Sequence, residues 1–253
     1  MYPYLVQSDS FTIGTYGVML AIAYLVGRHL YIKRLNQITQ KPVNTELLIV
    51  SLLIFGVIGA KVMFIIKNPH EASLSDWSSI TAGSGFSSQG AILAAIIVTV
   101  IFAHFSQQKL SHLLDAAAPA AVMAYALARI GCFLAGDDCY GVPSELPWAM
   151  SFPHGVAETH DRVHPLPLYE MLYSLAIWVY LTKRQLTDPP PYSQFFMLLM
   201  TWGACRFLVE FISTNPEKIF AMSGSQFGAL LMLIAGVSYF AFYPLKGRQK
   251  KAG

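Results

Sequence analysis

Long apolar runs separated by short polar and basic gaps recur along the whole chain, as in TYGVMLAIAYLV near the start and TELLIVSLLIFGVIGAKVMFII after it. About 20 apolar residues in a helix match the thickness of a bilayer's hydrocarbon core. On that measure the pattern predicts seven membrane-spanning helices, at 13–32, 46–66, 88–105, 113–136, 166–182, 193–213 and 223–244. The fourth is rich in alanine, which suits close packing among neighbours. The expected fold class is all-α: a polytopic helix bundle forming a single membrane domain over 1–253, with an outer loop at about 137–165.

Composition supports that class. Of 253 residues 55% are hydrophobic and 12% charged, half the share of about a quarter usual in soluble domains. The net charge of +3 does not point to nucleic acid, because the basic residues lie in the gaps between apolar runs. Cys132, Cys139 and Cys205 are too few for a disulfide scaffold. The opening MYPYLVQSDS lacks the basic stretch of a cleavable signal peptide.

Charge then orients the helices. Arg28, Lys33, Arg34, Lys41, Lys109, Lys183, Arg184, Lys246, Arg248, Lys250 and Lys251 fall on one side, against Lys67, Arg162 and Lys218 on the other. The positive-inside rule makes the first side cytoplasmic, with the N-terminus outside and the C-terminus inside.

Lys61, Arg129 and Arg206 fall within or at the edge of spans. A cation there is costly, so it faces the bundle interior and finds a partner. With this orientation Lys61, Arg129, Arg206 and Glu210 lie in the outer parts of their helices. Glu170, Tyr16 and Gln89 lie near the outer ends of theirs. Six helices thus bring polar groups to a similar depth. Arg206 and Glu210, four apart, can pair on one helix face. Beyond them only Glu170 and the Asp137–Asp138 pair are close in depth, so two or three cations are expected to remain for an anion. A phospholipid phosphodiester suits that place, gripped by guanidinium forks. Two plainer readings stand beside it: arginines bonded to backbone carbonyls, or a structural lipid. The segment DDCYGVPSELPWAMSFPHGVAETHDRVHP is long for a plain connector. Its Trp148 and Phe152 suit the membrane interface.

Six motifs resemble, in order, those of the bacterial prolipoprotein diacylglyceryl transferases, a seven-helix inner-membrane family. They are IGTYGVML with Tyr16, IGAKVMF with Lys61 in place of an arginine, GFSSQGAIL, ARIGCFLAGDDCYG, HPLPLYE and WGACRFLVEF. The fourth is similar to the family's Gly-Arg-x-Gly-Asn-Phe signature on Arg129, Gly131, Phe133, Gly136 and Gly141. The resemblance implies transfer of the diacylglyceryl group of phosphatidylglycerol to the thiol of a lipobox cysteine, with glycerol phosphate released. It implies catalytic roles at Arg129, Arg206, Gln89, Asp137 and Glu210. Substrate contacts are implied at Tyr16, Lys61, Gly131, Cys132, Gly141, His164, Tyr169 and Glu170. The implied partners are phosphatidylglycerol or another anionic phospholipid and a preprolipoprotein signal peptide, in the bacterial cytoplasmic (inner) membrane. No metal or organic cofactor is implied.

Two departures bear on the chemistry. Gln89 stands where the family has a histidine, and glutamine cannot take a thiol proton. Cys132 stands where the family has an asparagine. If a base is needed, Asp137, Asp138, His164 and Glu170 are the alternatives, in that order. A thiol could also arrive ionised in the field of the arginines. Cys132 is read first as a small buried residue; a covalent lipid carrier and a disulfide with Cys139 are the other readings. The competing functions are a relative with another acceptor, and a non-catalytic protein that binds or moves anionic lipid.

Overall fold

The computed structural model describes residues 2–8, 12–39, 43–68, 87–187, 189–215 and 222–249. Gly85 and Phe86 of the third motif, and Lys41, Lys218, Lys250 and Lys251 of the orientation argument, lie outside them. Seven α-helices occur among the described residues: α1 (Thr15–Ile38), α2 (Thr45–Lys67), α3 (Ser88–Ser106), α4 (Leu110–Ala135), α5 (Leu166–Arg184), α6 (Ser193–Val209) and α7 (Gly224–Gln249). Each overlaps one predicted span. The ends differ by several residues because helical hydrogen bonding continues past the apolar run. α1 extends through Lys33 and Arg34, and α7 continues beyond Pro244.

Five of these helices, α2, α3, α4, α6 and α7, are long and apolar enough to cross a membrane. Their apolar windows are only 11% to 39% buried. Leu53, Ile54, Phe55, Val57 and Ile58 of α2 are each half exposed. A water-soluble protein does not present so continuous an apolar surface, and the chain is a multi-pass membrane protein. α1 and α5 fall short of that standard. The first carries Arg28 and His29 past its middle, and the second carries Glu170 near its start.

The helical expectation holds: the fold is predominantly helical, with two small antiparallel hairpins added. β1 (Tyr4–Gln7) pairs with β2 (Thr12–Gly14), so the chain enters α1 from a strand. β3 (Met150–Phe152) pairs with β4 (Thr159–Val163) inside the segment read as an outer loop. That segment has its own apolar core of Tyr140, Phe152 and Val163. Tyr140 stacks on Phe152 with ring centroids 4.4 Å apart, and Phe133 meets Phe152 edge-on. Arg162, though exposed, folds onto the segment and donates to the carbonyls of Leu146 and Ala149, each at 3.2 Å. Its charge organises the segment's backbone, a use that a count of loop charges does not show.

The chain forms two compact units, one of Met1–Lys33 with Leu114–Gly253 and one of Arg34–Leu113. In the smaller, α2 and α3 touch nearly backbone to backbone. A methyl group on Gly59 would meet Ala94 Cβ and the Gly90 carbonyl oxygen, both at 2.6 Å. In the larger, α6 and α7 meet the same way. A methyl on Gly203 would come within 2.8 Å of the Ala229 carbonyl oxygen, and one on Gly236 within 2.6 Å of Met200 Cβ. Lipid is as apolar as leucine, so close van der Waals approach, and not water exclusion, drives such contacts. α6 is anchored at its start by Asp115 of α4, whose carboxylate accepts the backbone N–H groups of Tyr192 (2.6 Å), Gln194 (3.0 Å) and Phe195 (2.9 Å). A carboxylate there satisfies donors that no helical carbonyl reaches and matches the positive end of the helix dipole.

Candidate active site

Four charged side chains of the larger unit converge where α4, α5 and α6 come together. Arg129 sits in the penultimate turn of α4, Arg206 in the last turn of α6, and Glu170 near the start of α5. Glu210 opens the short 3-10 turn Glu210–Ile212 that follows α6. Glu170 is shared: one oxygen pairs with Nε of Arg129 and the other with Nη1 of Arg206. The Tyr125 hydroxyl donates to it at 2.8 Å. Arg206 Nη2 pairs with Glu210 Oε2 at 2.7 Å, the four-residue pairing expected on this face. The other Glu210 oxygen accepts from Asn215 Nδ2 at 2.7 Å and from Ser223 Oγ at 2.5 Å. The glutamate side chains are only 3% and 1% exposed, the arginines 21% and 13%. Burial at that level demands full pairing.

The expectation of two or three uncompensated cations is corrected here. Two arginines meet two glutamates, and their formal charges cancel. The reason is geometric: Glu170 enters just after Pro165, which starts α5, and presents its two oxygens to different helices. The arginines are not equivalent, however. Arg206 gives both terminal nitrogens to carboxylates. Among the described residues Arg129 gives only Nε to a carboxylate, and its Nη1 faces sulfur instead, 3.6 Å from Cys132 Sγ and 3.5 Å from Cys139 Sγ. Its guanidinium also lies 4.8 Å from the centroid of the Tyr125 ring, a cation–π contact.

The two cysteines meet because the chain reverses at the end of α4. Gly136 has φ 64° and Asp138 φ 65°, left-handed values that glycine adopts freely and aspartate tolerates. Together they fold Cys139 back toward Cys132. Both remain free thiols. A hydrogen bond from the Cys132 thiol holds the Cys139 thiol below its ordinary pKa, and the Arg129 charge acts the same way. Asp137 lies between them; its Oδ1 is buried and accepts no hydrogen bond among the described residues.

The remaining expected residues divide into two groups. In the larger unit, Gly131 lets α1 approach α4, since a methyl there would meet Met19 Cβ at 2.9 Å and Tyr16 Cδ2 at 3.3 Å. Tyr16 is thereby held against the face of α4 one residue from Cys132. Gly141 receives the backbone of the outer segment, its N–H donating to the His164 carbonyl at 2.9 Å. His164 Nδ1 lies 3.2 Å from the Tyr169 hydroxyl, to which Trp148 Nε1 donates at 2.6 Å. Lys61 and Gln89 belong to the smaller unit. Lys61 is buried there. Gln89 accepts from Lys67 Nζ at 3.1 Å and from Ser87 Oγ at 2.9 Å. Sequence reasoning missed Tyr125, Asn215 and Ser223. Tyr125 stands four residues before Arg129, a spacing that could have flagged it. The other two reach Glu210 only through the turn that follows α6.

The family model for prolipoprotein diacylglyceryl transferase matches residues 3–242. A phosphatidylglycerol–prolipoprotein diacylglyceryl transferase of Clostridium tetani is 26% identical over 242 residues, covering 95% of this chain and 97% of its own. One of Synechococcus sp. is 25% identical over 98% of this chain and 94% of its own. One of Finegoldia magna is 29% identical over 88% of each. A match of that extent, on a multi-pass membrane fold, leaves one conclusion: the chain is a transferase of the prolipoprotein diacylglyceryl transferase family.

Proposed function

We propose that this transferase moves the diacylglyceryl group of phosphatidylglycerol to the thiol of a prolipoprotein lipobox cysteine. It does so as a single domain of seven spans in the bacterial cytoplasmic membrane, with its N-terminus outside and C-terminus inside. The observation that carries the reading is the asymmetry of the two arginines. Arg206, held by two carboxylates, fixes Glu170, and Glu170 fixes Arg129 through Nε. Among the described residues the terminal nitrogens of Arg129 are then aimed but not tied to a carboxylate. Thiols are weak acceptors, and a phosphate oxygen outcompetes them for a guanidinium. Arg129 is therefore the phosphate grip, and Arg206, Glu210 and Glu170 are positioning residues.

In the reaction the acceptor sulfur attacks the glycerol carbon that bears the phosphate. A carbon–sulfur bond forms, the carbon–oxygen bond breaks, and its electron pair goes to the departing phosphate oxygen. Charge developing on that oxygen in a dry cluster is where an aimed N–H donor stabilises most, commonly by about 10²–10³ in rate. Tyr16, on the α4 face beside Cys132, lines the headgroup cavity, and His164 and Tyr169 line its outer side. Gln89 orients a substrate without accepting its proton. Glu170 is committed to two arginines and is a poor base.

The test is purified protein in phosphatidylglycerol micelles with a lipobox peptide. The products are glycerol phosphate and a peptide heavier by one diacylglyceryl group. Lipid binding without product for any thiol acceptor would refute the reading and favour the non-catalytic lipid binder.

A further inference from the structure

We propose that Cys132, Asp137 and Cys139 form a binding site for one soft divalent cation, zinc above all. The inference deepens the transferase reading and rests on it for its purpose, though not for its evidence. The two sulfurs and an Asp137 carboxylate oxygen all lie within 4.8 Å of one another. A tetrahedral zinc with bonds of about 2.3 Å to sulfur and 2.0–2.2 Å to oxygen sets its ligands about 3.5–3.8 Å apart. Closing the site therefore needs small side-chain rotations and no change of backbone. Ligand type agrees as well, because two thiolates with one carboxylate suit zinc and exclude magnesium or calcium.

Two further observations point to a cation. Asp137 Oδ1 is buried and accepts no hydrogen bond among the described residues, a costly condition for a carboxylate oxygen. A metal bond would satisfy it. Arg129 Nη1 approaches both sulfurs, at 3.6 and 3.5 Å. Donors of that kind tune metal-bound thiolates from outside the coordination shell. Two thiolates, one carboxylate and a divalent ion sum to −1, and the Arg129 guanidinium beside the sulfurs offsets part of that charge.

The left-handed pair Gly136 and Asp138 gives the arrangement its local cause, since a continuous helix would carry position 139 away from 132. Three protein ligands leave a tetrahedral ion one outside position, as in zinc sites that do chemistry. A thiol bound there is deprotonated by the ion itself. The acceptor cysteine of the proposed reaction has that chemistry, and its proton would leave on metal binding.

The experiment uses the full chain in detergent with its thiols reduced and stripped by chelator, titrated with cobalt(II) and then zinc. The expected result is one cobalt per chain, with a thiolate-to-cobalt charge-transfer band and visible bands of tetrahedral strength, all abolished by equimolar zinc. Cys132→Ser and Cys139→Ser should each lose the charge-transfer band or weaken binding at least tenfold. Cys205→Ser, changed in the apolar cluster of α4, α5 and α6, should keep both. Cys132→His, which exchanges one ligand for another, should retain stoichiometric binding with a weaker sulfur band. In the unaltered chain zinc should also shield Cys139 from maleimide while leaving the labelling of Cys205 unchanged. No charge-transfer band, a band and an affinity both undiminished in the two serine variants, or thiols that oxidise to a disulfide as fast with zinc as without it would overturn the proposal. The readout is metal and not turnover. A chain that binds cobalt but transfers nothing would keep the site and sink the transferase reading.

Discussion

Replacing Glu170 by glutamine keeps the side chain's shape and removes the charge that two guanidinium groups share. At 3% exposure water cannot substitute for it, and one amide oxygen cannot serve both arginines. The new NH2 group would also face a cation. Removing one partner of a buried ion pair costs about 3–5 kcal/mol. For a chain of 150–250 residues about 1 kcal/mol moves Tm by roughly 2–4 °C, so a fall of about 6–20 °C is expected. Tryptophan fluorescence in detergent is a suitable probe, because Trp202 packs edge-on against Tyr125, 5.4 Å away, beside the cluster. The control that separates charge from shape is the double variant Glu170→Gln with Arg129→Gln, which leaves the Arg206–Glu210 pair intact. Neutralising both partners removes the stranded charge, so the double variant should melt above the sum of the single losses, by a coupling of about 0.5–3 kcal/mol. Turnover in the peptide assay should fall by at least 10² in either case, since the phosphate grip at position 129 loses its anchor in one and its charge in the other. If Glu170→Gln melts within about 2 °C of the parent and the double variant shows no coupling, the shared carboxylate is not what holds the cluster, and the reasoning fails.

Other outcomes follow from the same geometry. Arg129→Lys keeps the charge but loses the fork, and should lower turnover about 10²–10³-fold while leaving Tm nearly unchanged. Arg206→Lys should lower both, because it breaks a doubly held buried residue. Gly131→Leu would drive a side chain into Met19 and Tyr16, costing about 1–3 kcal/mol by overpacking and raising KM for lipid more than it lowers kcat. Asp115→Ala strips three backbone N–H groups of their acceptor, a loss of about 0.5–2 kcal/mol visible as a lower melting temperature with kcat retained in the surviving fraction. Alkaline phosphatase fused within the Asp137–His164 segment should be active, and fused after Arg184 inactive; the reverse pattern would overturn the orientation.

How far the sequence could be read follows the range of each interaction. The seven helices were legible because apolar runs of spanning length have few other meanings. The Arg206–Glu210 pair was legible because four residues set one helical turn. The hairpin β3–β4 was not, since its three- and five-residue strands carry little alternation and are held by Tyr140 and Phe152 rather than by pattern. The double duty of Glu170 was not legible either. It depends on α4 and α6 meeting α5 at one level, 41 and 36 positions away in the chain, and no local count reveals that one carboxylate faces two cations. That omission reversed the sign of an argument. Counting charges left an excess of cation to draw in an anion, whereas the folded cluster is neutral. Affinity for a phosphoester must then come from aimed N–H donors in a dry place, not from net charge. Salt separates the two cases: screening weakens attraction between exposed charges over about 10 Å at 0.1 M but barely reaches a buried donor. Raising salt from 0.05 to 0.5 M should therefore change KM for phosphatidylglycerol less than twofold. A fall in affinity of tenfold or more would restore the picture of uncompensated cations.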